Sequence, residues 1–70
     1  MESQGLLEPD VLLYKVTDAM RILSVSKWTI YDQIRRGRIR SVSQGRARLI
    51  PVSALHDYVE LLVRESQNSA

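Results

Sequence analysis

The stretch from Ser26 to Gly37 constrains this chain more than any other, because it carries its own start and stop. Ser26 has a hydroxyl that accepts from the free amides of a first helical turn, which makes it an N-cap. Gly37 can take the left-handed backbone that ends a helix. Between them each residue advances about 100° around a helix axis. That step gathers Ile30 and Ile34 on one side, flanked by Thr29 and Gln33. It gathers Lys27, Trp28, Tyr31, Asp32 and Arg35 on the other. The first side suits a core. The second puts an indole, a phenol, cations and a carboxylate on one rigid rod, and such a face fits the major groove of DNA, which admits an α-helix. The plain alternative is a surface helix with ordinary charges and a half-buried Trp28.

The chain has 70 residues, enough for one small domain at most. A domain of that size buries only about 60% of its unfolded surface, so its core is thin and a buried catalytic cavity has little room. No nucleophile–base pair, no paired carboxylates and no metal set stand out, so the sequence does not read as an enzyme. It has 0 Cys and 1 His, which argues against a disulfide framework, a metal site or a cofactor. No apolar run approaches the roughly 20 residues of a membrane span. The acidic, polar start lacks the basic and apolar regions of a signal peptide. The expectation is a cytoplasmic protein that associates with the nucleoid through DNA.

The net charge of +2 is modest, but its distribution is uneven. Arg35, Arg36, Arg38, Arg40, Arg46 and Arg48 supply most of the 10 basic residues, and no Asp or Glu lies between Asp32 and Asp57. Such segregation makes a local positive field that the overall charge hides. Like charges crowded together repel unless a polyanion offsets them, although a solvated basic loop is the simpler reading. Arginine's planar fork also matches phosphates and guanine edges.

Read in order, residues 1–10 form a flexible N-terminal tail, residues 11–64 the folded domain and residues 65–70 a polar C-terminal tail. Val11 to Tyr14 is either a minor strand or an extended lead-in. Lys15 to Leu23 reads as a first helix, with Val16, Ala19, Met20 and Leu23 at helical spacing. Either Lys15 or Thr17 starts it; Thr17 is the better cap chemically but lacks a capping box. Ser24 and Val25 make a tight connection to Ser26, giving a helix-turn-helix unit. Arg21 points off the apolar stripe, toward either a phosphate or solvent. Arg38 to Ile50 reads as a small hairpin around Gln44-Gly45, with Arg46 at its tip and Arg48 on the same strand face. A basic hairpin beside such a helix is a wing. Pro51 ends it. Val52, Leu55, Val59 and Leu62, with Tyr58 alongside, then form the apolar stripe of a last helix that ends near Arg64. Leu61 and Val63 lie off that stripe, and His56 reads as a surface residue. The expected architecture is mostly α with a small β-hairpin, a winged helix-turn-helix in the order α-α-β-β-α.

Two runs, VSKWTIYDQIRRGRI from Val25 to Ile39 and GRARLIPVSALHDYV from Gly45 to Val59, resemble the excisionase-type DNA-binding family, a MerR-related branch of the winged-helix group. The residues carrying the likeness are Ser26, Thr29, Ile30, Tyr31, Gly37, Gly45, Arg46, Ile50, Pro51, Ser53, Ala54 and Leu55. Three features depart from the pattern: Ser24 stands where the family often has Gly, Leu49 where it often has Arg, and the first helix keeps only Asp18 of a common acidic pair. The resemblance implies duplex DNA binding. In part of the family it implies a recombination directionality factor that helps a site-specific integrase excise an element, with several copies side by side on bent attachment-site DNA. Other members are small transcription regulators.

On that reading Lys27, Trp28, Tyr31, Asp32 and Arg35 enter the major groove, and Ser26 and Thr29 bond phosphate near the helix N-terminus. Asp32 either accepts from a cytosine amine or orients a neighbouring arginine. Gln44, Arg46 and Arg48 serve the wing. Arg36, Arg38 and Arg40 are backbone contacts or simply solvated. One small domain reads few base pairs, so a monomer in solution would gather on DNA through cooperative head-to-tail contacts, with an integrase as a further partner. A small regulator is the alternative. An adaptor or antitoxin, with Trp28 and Tyr31 as protein anchors, is a third.

Overall fold

The architecture follows from how β1 (Leu13–Lys15) runs without a loop into α1 (Val16–Leu23). In this computed structural model, which describes residues 10–68, there follow α2 (Lys27–Arg35), β2 (Val42–Gln44), β3 (Ala47–Pro51) and α3 (Val52–Asn68). The winged helix-turn-helix is therefore present, with a third strand added. Residues 1–9 of the expected 1–10 tail and residues 69–70 of the expected 65–70 tail lie outside the described residues.

The sheet has the order β1-β3-β2 and is antiparallel throughout. Tyr14 pairs with Ile50 and Lys15 with Leu49 on one side of β3; Val42 pairs with Leu49 and Gln44 with Ala47 on the other. Alternation in β1 buries Tyr14 and leaves Leu13 and Lys15 outside, the period of two that a half-buried strand imposes. Lys15 is at once the last strand residue and the N-cap of α1, with no side-chain cap bond. Thr17 is inside the first turn, because strand pairing brings the chain into the helix before Thr17 is reached.

Two helix ends have the same geometry. Ser24 takes φ 58° and ψ 45°, and the Ser24 and Val25 amides donate back to the Arg21 and Met20 carbonyls at 3.3 and 3.0 Å. Gly37 takes φ 77°, and the Gly37 and Arg38 amides donate to the Ile34 and Gln33 carbonyls at 3.0 and 2.9 Å. Both are left-handed caps that satisfy otherwise unpaired carbonyls. The first cap sets the turn between α1 and α2, with Val25 packed against the core as its plug.

Ile30, Ile39, Ile50 and Leu55 are the largest fully buried side chains, joined by Tyr14, Val16, Ala19, Ala54 and Tyr58. Every element but β2 contributes to this cluster or packs on it. The hairpin turn falls at Gly45-Arg46, one residue later than Gln44-Gly45, because Gln44 still pairs in the ladder with Ala47. Gly45 has φ 60° while Arg46 stays at negative φ, as in a II′ hairpin turn.

The last helix corrects the expected stripe. Of that stripe Val52 packs on the core and Leu55 and Tyr58 are buried, with Ala54 buried and Leu61 packed beside them; Val59, Leu62 and Val63 are exposed. Burial follows the core that α2 and β3 offer at the start of α3, and the helix then outruns it. It continues through residues 65–68, past the expected end near Arg64.

Candidate nucleic-acid interface

Ser26 fixes the entry to α2. Its Oγ accepts from the Thr29 amide at 3.1 Å and donates to Thr29 Oγ1 at 2.9 Å. Ile30 is buried and Ile34 packs on the core, so the helix is pinned by one face. The opposite face stands in solvent: Trp28 is 72% exposed and Tyr31 is 42% exposed. Lys27 and Arg35 are exposed on the same side. Lys27 has no side-chain partner among the described residues. An indole held outward on a rigid helix leaves a large apolar surface ready for a partner.

Asp32 departs from the expected exposed face, since only 5% of it is accessible. Its carboxylate accepts from Arg35 Nη2 and, at 2.9 Å, from Arg36 Nε. The arginines stand three and four residues on, the spacing at which helical side chains meet. The carboxylate is enclosed, yet the two arginine side chains that hold it are 70% and 63% exposed.

The wing comes to the same side. Tyr31, Ile34 and Arg35 of α2 and Arg48 of β3 line one open hollow. Arg48 Nη1 donates to Ser41 Oγ at 2.7 Å, which steadies it at the base of the hairpin. Arg46 occupies the turn, exposed and without a side-chain partner among the described residues, and Gln44 is exposed beside it. Ser26, Lys27, Trp28, Thr29, Tyr31 and Arg35 thus share one helix, and Arg48 connects its side to the wing.

Arg38 and Arg40 go elsewhere. Arg38 makes a two-pronged bond to Glu65, at 2.7 and 2.6 Å, and donates through Nε to Gln33. Arg40 reaches Asp57 at 2.7 Å and Ser53 at 3.4 Å. Both are therefore seated on α3. The Arg38–Glu65 bond lowers the Glu65 carboxyl below its ordinary value and raises the Arg38 guanidinium. The crowding of arginines read from the sequence is offset in good part from within: Asp32 faces Arg35 and Arg36, Glu65 faces Arg38, and Asp57 faces Arg40. Arg21 pairs with Asp18 on α1 at 2.9 Å.

The sequence reading missed Gln33 and Glu65. Gln33 Oε1 accepts from both Arg38 and Tyr58 Oη, tying α2 to α3. Tyr58 and Glu65 are seven residues apart, two helical turns on one face, and that spacing was the available signal.

Two helices joined by a tight turn, with a basic hairpin at their side, define a small winged helix-turn-helix module. A helix-turn-helix domain family model matches residues 13–60, and the chain belongs to that family. Such a domain supports sequence-specific DNA binding, and the family is typically non-enzymatic. Comparison with curated proteins and with solved structures gave no match. No helix among the described residues is long and apolar enough to cross a membrane.

Proposed function

We propose that this chain is an accessory DNA-binding protein of site-specific recombination, an excisionase that shapes attachment-site DNA for an integrase. It does no covalent chemistry. α2 enters the major groove, with Lys27, Trp28, Tyr31 and Arg35 toward base edges, thymine methyls and sugars. Ser26 and Thr29 face a phosphate at the helix N-terminus. Arg46 and Arg48, with Gln44, lie along the strand backbone toward the minor groove, whose narrow width concentrates negative potential. The observation that carries this reading is the continuity of an exposed aromatic and basic helix face with Arg48 of the wing.

One domain of this size reads too few base pairs for a unique site. Several copies binding head to tail would extend the readout as an open array, each taking its place on a bent duplex. The resemblance in Val25 to Ile39 and Gly45 to Val59 supports duplex DNA binding, and the recombination role is one of the uses it includes. Footprinting on DNA flanking the gene tests it. Regularly spaced protection across an attachment site is the expected pattern. Protection confined to one promoter operator would instead make the protein a small transcription regulator. Absence of any protected duplex, with Trp28 and Tyr31 needed for a protein complex, would make it an adaptor.

A further inference from the structure

Resting on the DNA-binding reading above, we propose that Asp32 is a positioning residue that holds Arg35 and Arg36 in set directions and so fixes which base edge α2 can read. A carboxylate this enclosed, with its oxygens already accepting from two guanidinium groups, does not reach a cytosine amine itself. It acts on the arginines instead. Each guanidinium carries five N–H donors and gives Asp32 one group, so most of its donors remain outward.

The two grips differ. Arg36 is held at Nε, which leaves both terminal amines outward as an end-on fork. Arg35 is held at one terminal amine, Nη2, the amine common to its side-on and end-on edges, so Nη1, Nε and the second Nη2 hydrogen are what it has left to offer. Arg35 also shares its hollow with Tyr31 and Arg48, between helix and wing. One buried carboxylate thereby grips neighbouring arginines by different nitrogens and leaves them different sets of free donors. An unanchored arginine would have to lose its rotamer freedom on binding; these have lost much of it beforehand. Gln33 Nε2, 3.5 Å from Asp32 Oδ2, adds a third donor on the inner side.

Asp32→Asn separates this role from a structural one by sign. The variant removes a negative charge from a DNA-facing element, so affinity for random duplex stays level or rises. Preference for the best duplex recovered from a randomised pool, over single-base-pair variants of it, falls about tenfold at the position Arg35 reads, as loss of a well-aligned bidentate contact implies. A merely destabilising change weakens both. The same measurement in an Arg35→Gln background should show little further loss at that position, since Asp32 then has no reader to aim there. Retained preference in Asp32→Asn, or an equal loss in the Arg35→Gln background, overturns the proposal. Circular dichroism reports whether Asp32→Asn folds; if it does not, Arg35→Lys decides. That variant keeps the charge but not the fork, so preference should fall by more than random-duplex affinity does, and an equal fall in both, or kept preference, refutes the idea. A wild-type chain with no preference for any duplex would fail at the earlier step, the DNA-binding reading itself.

Discussion

Ser24 holds a left-handed backbone, φ 58° and ψ 45°, that a residue with a Cβ adopts at a cost of about 1–2 kcal/mol. Glycine would relieve most of that strain and give part of it back as greater freedom in the unfolded chain. Ser24→Gly should therefore stabilise the domain by about 0.5–1 kcal/mol and raise its thermal midpoint by about 2–8 °C. Thermal unfolding followed by circular dichroism checks this; an unchanged or lower midpoint would mean the serine side chain compensates for its backbone. The position was visible in the sequence as a departure from glycine, though not its conformation. Trp28 and Tyr31 were also legible, because helical phase places them opposite Ile30 and Ile34. Asp32 was not. Helical phase treats each residue as standing alone, whereas Arg35 and Arg36 close their guanidinium groups on this carboxylate, which is buried.

Elements with local signals at their ends were the ones the sequence could place. Ser26 and Gly37 bracket α2 as their chemistry requires, and Gly45 turns the hairpin. The last helix has no such signal at its end, and its apolar residues fit more than one face. Which face wins is decided by the core that α2 and β3 present, a long-range fact that spacing does not contain. Hence Val59 and Leu62 are exposed while Leu61 packs inward. Glu65, read as tail, is a helical residue that braces Arg38. Because the bond to Arg38 holds the Glu65 carboxyl below its ordinary value, folding favours the ionised form. That contribution is complete above the unfolded carboxyl value, about 4.3, and is lost as pH falls through the folded one. Arg38, raised from an already high value, stays charged throughout this range. The thermal midpoint of Glu65→Gln should lie slightly below wild type at pH 7, and the gap should close on acidification below about pH 4. A gap that persists at low pH would show that Glu65 acts through packing rather than charge.

At the scale of the whole molecule, charge is sorted by side rather than by total. The net value is only +2, yet acids on α3 engage Arg38 and Arg40, while Lys27 and Arg46 have no side-chain partner among the described residues. The helix–wing side adds the Arg35 and Arg48 side chains. Cations on that side can release counterions from a duplex; those held by α3 can do so only by first leaving their carboxylates. Arg46→Ala should weaken binding about equally on every duplex and reduce the slope of log affinity against log salt by about 0.9, one phosphate's share. Arg38→Ala should leave that slope unchanged and lower the thermal midpoint, since it removes a brace between the loop after α2 and the end of α3. Titrations at several salt concentrations, run for both variants on the same duplexes, measure the contrast. Equal slope losses would mean Arg38 abandons Glu65 for phosphate when DNA is bound, so the acids on α3 would be competing with the nucleic acid for the same arginine.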